Sequence, residues 1–171
     1  MNKLNEYKIA FRNLKEGVHF FEFKLDSVFF DCFDTTKGTV ANIDAKITLQ
    51  KSSLLMEIKI ELNGVVKAEC DRCLSDLDLD INGELQLYVK QSEREEGNDD
   101  DYIIVHSNDD YIELGSYLYE TYMLNYPIRV LHKDGECDED MQETLAEYMI
   151  EEEEERPTDP RWDELKKLIN N

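Results

Sequence analysis

The sequence predicts an α+β fold in which an antiparallel β-sheet, or a partly open barrel, packs against a few helices. Three observations point there: two-residue alternation through 41–49 and again through 54–62, a further alternating run over 77–89, and one stretch near 112–126 where apolar residues return at helical spacing. Ala41, Ile43, Ala45, Ile47 and Leu49 point one way while Asn42, Asp44, Lys46 and Thr48 point the other. After a polar turn at 50–53, Leu54, Met56, Ile58, Ile60 and Leu62 resume the pattern, and Asn63-Gly64 reads as a tight turn or bulge. Val65, Val66 and Ala68 then lead into Cys70. Leu77, Leu79, Ile81, Leu85, Leu87 and Val89 carry the sheet onward, with Gly83 placed where a bulge would bend the strand.

The aromatic-rich segment 18–25 predicts a strand, and Asp26 a helix N-cap ahead of Val28, Phe29, Phe30 and Phe33, with Cys32 a buried hydrophobe. The strongest helix signal is Ile112, Leu114, Tyr117, Leu118, Tyr122 and Leu124, stopped by Pro127. Tyr117, Tyr119, Tyr122 and Tyr126 suit packing better than base stacking, because no basic residues are interleaved with them. His19 and His106, in apolar strand-like runs, suit structural roles. A weaker helix is expected over 138–150, running into five glutamates at 151–155, and Asp159-Pro160 would start a last short helix carrying Leu165, Leu168 and Ile169. One domain over 1–171 is expected, with an acidic loop at 92–101 and an acidic segment at 138–156.

Composition narrows the function classes. The net charge of −21 is unevenly placed: residues 1–90 carry 12 Lys and Arg against 15 Asp and Glu, whereas residues 91–171 carry 7 against 25. Such acidity opposes the continuous basic groove that phosphate neutralisation requires, so DNA is not an expected partner. A basic protein suits the acidic second half, and Lys3, Lys8, Arg12 and Lys15 leave room for a small RNA contact. No stretch approaches the roughly 18 apolar residues of a membrane span, and the start shows no export signal. A cytoplasmic location is therefore expected, where four cysteines are thiols or metal ligands rather than disulfides.

The sharpest local signal is Cys70-Asp71-Arg72-Cys73, whose spacing lets a tight turn present both sulfurs to one tetrahedral ion. His132-Lys133-Asp134-Gly135-Glu136-Cys137 offers a second pair across a short loop. Together Cys70, Cys73, His132 and Cys137 make a closed Cys3His set suited to structural zinc, with no coordination position left for hydrolysis. Two enzymatic alternatives remain: a zinc hydrolase or nuclease with Glu69 or Glu136 as base, and a dithiol oxidoreductase using Cys70 and Cys73. The second is opposed by the strand-like run after Cys73, where a redox motif would open a helix, and by acidic neighbours expected to raise the thiol pKa. A zinc-stabilised protein-interaction module is a third, non-enzymatic alternative.

These pieces resemble the YceD family, described as large ribosomal RNA subunit accumulation proteins and as a domain of unknown function. The resemblance rests on Cys70-Asp71-Arg72-Cys73-Leu74 after a strand, a helix ending at Tyr126-Pro127-Ile128-Arg129-Val130, the pair His132 and Cys137, and Asp159-Pro160-Arg161-Trp162-Asp163-Glu164-Leu165. It implies a non-catalytic bacterial or organellar ribosome-biogenesis factor supporting 23S ribosomal RNA accumulation, with a large-subunit precursor, a basic ribosomal protein or rRNA as partner. It supplies no catalytic residue. The family's Pro-x-x-Pro-x-His stretch stands here as Pro127-Ile128-Arg129-Val130-Leu131-His132, without its second proline, a departure that leaves the candidate ligands in place.

Overall fold

The computed structural model describes residues 3–33, 35, 40–53, 55–91, 102–106 and 108–148. The acidic loop at 92–101, the five glutamates at 151–155 and the Asp-Pro-Arg-Trp segment lie outside them. The elements are β1 (Lys8–Ala10), β2 (Gly17–Leu25), α1 (Ser27–Phe30), β3 (Ala41–Lys51), β4 (Met56–Glu69), β5 (Asp76–Gln91), β6 (Tyr102–Val105), β7 (Tyr111–Glu113), α2 (Gly115–Asn125) and α3 (Glu139–Tyr148), after a 3₁₀ turn at Lys3–Glu6. Five strands form an open sheet in the order β2-β3-β4-β5-β6, and β1 with β7 forms a separate two-stranded ribbon. The fold is α+β with an open sheet, not a barrel.

Alternation explains the sheet. Ile43, Ala45, Ile47 and Leu49 of β3 and Ile58, Ile60, Leu62 and Val66 of β4 are all buried on one face, which α1, α2 and the β1–β7 ribbon cover with Phe29, Phe30, Leu118, Tyr122, Ile9 and Ile112. The opposite face is polar and open to solvent. Asp26 caps α1 as its sequence position implies, its Oδ1 accepting from the Val28 and Phe29 amides at 3.0 and 3.2 Å. The tyrosines of α2 pack as expected: Tyr122 is buried, Tyr117, Tyr119 and Tyr126 flank the core, and Tyr119 stacks on Phe33.

Several expectations are corrected. Asn63-Gly64 neither turns nor bulges the chain; β4 passes through it in unbroken register, with Asn63 opposite Asp44 on one side and Asn82 on the other. Glycine is needed there because a Cβ would collide with the Asn42 carbonyl oxygen and the Ile43 Cα of β3. Gly83 likewise pairs regularly, with Leu62, and its missing side chain admits α2, since a Cβ would stand 2.7 Å from Asn125 Nδ2. Ile112 belongs to β7 rather than to the helix, because 111–113 pairs with β1, and α2 starts only at Gly115. Tyr102–Val105, a short apolar stretch, forms β6, which lies parallel to β5, so the sheet is not wholly antiparallel. Cys32 follows α1 and is half-buried, its Sγ 3.5 Å from the Val28 carbonyl. His19 hydrogen-bonds the Lys15 carbonyl, and His106 is exposed beyond β6. Lys8 and Arg12 are engaged with Glu113 and Asp110.

Two pairs of substitutions test this packing by chemical denaturation. Gly64→Ala is expected to cost about 2 kcal/mol or more, since backbone must move, and Gly83→Ala about 1 kcal/mol, since the Asn125 side chain can swing aside. Tyr7 Oη donates to the Lys24 carbonyl at 3.0 Å, whereas the buried Tyr122 hydroxyl has no partner among the described residues. Tyr7→Phe should therefore destabilise by about 1 kcal/mol, and Tyr122→Phe should stabilise by a similar amount. Burial, with Asp26 nearby, pushes the Tyr7 phenol up from 10.0 to about 12. A raised folded value means that its contribution is whole below pH 10.0 and lost as pH climbs through about 12, so Tyr7→Phe should flatten the alkaline limb of the stability curve.

Candidate metal centre

The ladder between β4 and β5 ends at Glu69 opposite Asp76. The loop beyond it is held as a knuckle: the Cys70 amide donates to the Ser75 carbonyl at 3.0 Å, and the Leu74 amide to the Cys70 carbonyl at 2.9 Å. Closing so tight a loop puts Leu74 in the left-handed region at φ 60, which a branched residue occupies only when its surroundings hold it there. The same curl aims the Arg72 amide at Cys70 Sγ, 3.4 Å away.

The second half arrives on the segment after α2. Asp71 and Val130 bind each other twice, the Asp71 amide donating to the Val130 carbonyl at 2.8 Å and the Val130 amide to Asp71 Oδ2 at 2.7 Å. Val130 is the position where the family stretch would carry its second proline. A proline has no N–H and could not make the second bond. From this clamp the chain reaches His132, turns through Lys133–Glu136 with a 3.0 Å amide-to-carbonyl bond, and delivers Cys137 at the foot of α3. Asp138 Oδ1 then accepts from the Met141 amide at 3.0 Å, and Gln142 Nε2 donates to the Cys137 carbonyl at 2.9 Å, so α3 hangs directly on the last thiol.

All four sequence-predicted donors therefore meet, their ligand atoms within 4.8 Å of one another. Cys70 Sγ stands 4.0 Å from Cys137 Sγ, and His132 Nδ1 lies 3.3 Å from Cys73 Sγ and 4.0 Å from Cys137 Sγ. A tetrahedron with zinc–sulfur bonds of about 2.3 Å has edges of about 3.8 Å, so the spacing fits one such ion. A disulfide would need sulfurs about 2.05 Å apart. His132 Nε2, 3.3 Å from the Asp76 carbonyl, is placed to carry the ring proton, which turns an unprotonated Nδ1 toward the sulfurs. Leu77, Leu131 and Met141 wall the cluster with apolar surface.

Protonation is tuned in two directions: the two thiols of the knuckle are lowered, while His132 and Cys137 are raised. Burial is the largest single influence on Cys70 and works against ionisation, yet the amides of Cys73, His132 and Arg72 outweigh it and bring the thiol well below its ordinary value. Cys73 is lowered chiefly by backbone hydrogen bonding at Asp138, and His132 is raised by its hydrogen bond to Cys70. Cys137 is pushed up to about 11 by burial and by its two cysteine neighbours. The CxxC thiols are thus lowered rather than raised, against the expectation from their acidic neighbours, because backbone amides, invisible to composition, together outweigh burial. Low thiol pKa does not restore the redox reading: Cys70 and Cys73 are almost wholly buried, whereas reactive cysteines are partly exposed. Glu69 and Glu136 are exposed and stand outside the four-donor group. The arrangement can hold an ion and join two chain segments through it.

Among the described residues, no helix is long and apolar enough to cross a membrane. No curated protein and no solved structure matched the chain. A family model described as "Large ribosomal RNA subunit accumulation protein YceD" matches residues 58–169, which takes in all but the first two residues of β4, the knuckle, α2, the clamp and all four donors. With well over half of its length matched, the chain belongs to the YceD family.

Proposed function

We propose that this chain is a non-catalytic ribosome-biogenesis factor that supports accumulation of large-subunit ribosomal RNA by holding a basic large-subunit ribosomal protein, with structural zinc at Cys70, Cys73, His132 and Cys137. The family's description supplies the ribosomal context. The observation that carries the holding role is the placement of acid. α3 bears Glu139, Asp140, Glu143 and Glu147 with no Lys or Arg, and none of these four carboxylates is in an ion pair among the described residues. An unpaired acidic helix attracts a lysine-rich client, speeds encounter and shields that client from stray RNA. The zinc would supply a crosslink between the knuckle and the foot of that helix, a fold-stabilising task rather than Lewis-acid chemistry.

Metal analysis of the protein purified without chelator should find one zinc per chain. Cys70→Ser should lose the metal and lower the melting temperature, while Cys32→Ser, outside the donor group, should change neither. Zinc retained by Cys70→Ser would remove the assignment. For the partner, affinity purification from the native cell at two salt concentrations should recover a Lys- and Arg-rich ribosomal protein that is lost at high salt, where the Debye length shrinks. Changing Glu139, Asp140, Glu143 and Glu147 to their amides should slow association by about tenfold and leave dissociation nearly unchanged. Association rates indifferent to both salt and charge would reject the electrostatic account, and recovery of rRNA with no protein client would reject the holding role.

A further inference from the structure

Beside the knuckle lies an open cleft of about 720 Å³, bounded by Val40, the end of β4 at Lys67–Glu69, Asp71 and Asp76, and the segment Tyr126–Ile128 with Val130. Its walls are the two chain segments that the Asp71–Val130 clamp holds together. Apolar groups line it, and Ile128 stands at its lip fully exposed to water, with Val40 also largely exposed. Its charges are one-sided. Glu69 and Asp76 are exposed carboxylates, while the one lysine among the described lining residues, Lys67, is tied to Asp78 at 2.6 Å.

We propose that this cleft seats the client, taking a short extended segment in which Lys or Arg alternates with an aliphatic residue. The proposal rests on the reading of the client as a basic protein and gives it an address. Among the described residues, the exposed isoleucine beside a proline is an apolar contact without a partner, and the cleft's carboxylates suit the cationic end of a side chain whose aliphatic stem lies along its apolar groups. The same carboxylates repel the phosphates of RNA. A second copy of a chain carrying −21 is an equally poor occupant.

The test uses the full-length protein as purified and two short fluorescent peptides, one alternating arginine with leucine, the other alternating arginine with serine. Ile128→Ser should weaken the arginine–leucine peptide by about tenfold and leave the arginine–serine peptide unchanged, since only the former uses the apolar lip. Glu69→Gln combined with Asp76→Asn should weaken both by about tenfold at low salt. Because these side chains are exposed, unchanged zinc content and circular dichroism are expected for each variant. If the cleft variants bind both peptides like the parent while neutralising the α3 carboxylates abolishes binding, the cleft is wrong and the basic-client reading survives. If neither peptide binds any form, both fall. Displacement of the peptide by a large-subunit rRNA oligonucleotide, or self-association abolished by Ile128→Ser, would assign the cleft to RNA or to a second copy and overturn the proposal.

Discussion

Fourteen residues of β4 pair without interruption with β5, from Met56 opposite Val89 to Glu69 opposite Asp76, and this ladder determines where everything else can sit. Side chains alternate across a strand, so one register both buries Ile58, Ile60, Leu62 and Val66 and fixes the position at which the strands must part. A slip of one residue would turn the core face to water and displace Cys70 and Cys73 together. The knuckle is in effect the last rung of the ladder, continued by the Cys70–Ser75 bond. Core packing and donor geometry are therefore one constraint.

Period two was enough to find β3, β4 and β5, because each buries a single face against helices and leaves the other wet. Where tertiary packing decided the outcome, local signals misled. Gly64 and Gly83 carry the residue type of a bulge, but what each answers is the close approach of another element, β3 in one case and α2 in the other. Ile112 continued a helical spacing by coincidence and was captured by pairing with Ile9. The parallel β6 had no local mark beyond an apolar run. The four donors were legible from spacing and from the family's pattern, whereas their convergence depends on the Asp71–Val130 clamp, a bond between residues 59 apart that neither segment announces by itself. The strained Leu74 gave no sign either, since leucine is a poor marker of left-handed backbone.

Charge on this molecule is not arranged for stability. On the open face of the sheet, Lys59 bridges Glu61 and Glu84, and Lys67 meets its cross-strand partner Asp78, but exposed pairs of this kind contribute little. A net charge of −21 works against compactness through self-repulsion. Acid in that amount, concentrated after residue 90, is better understood as directed outward, toward whatever the molecule meets.

Cys70 and Cys137 are 67 residues apart in the chain, and an ion between them would close a loop containing β5, β6, β7 and α2. By the chain-entropy relation used for covalent crosslinks, a loop of that length removes about 4 kcal/mol of disorder from the unfolded state. With an ion bound, the quartet would be a staple of about disulfide strength. Such a closure would answer to metal and proton activity, because the ligands must shed their protons to bind. Without such an ion, the joint between the knuckle and α3 would be the first to loosen, while the sheet, buried by its own side chains, would keep its shape.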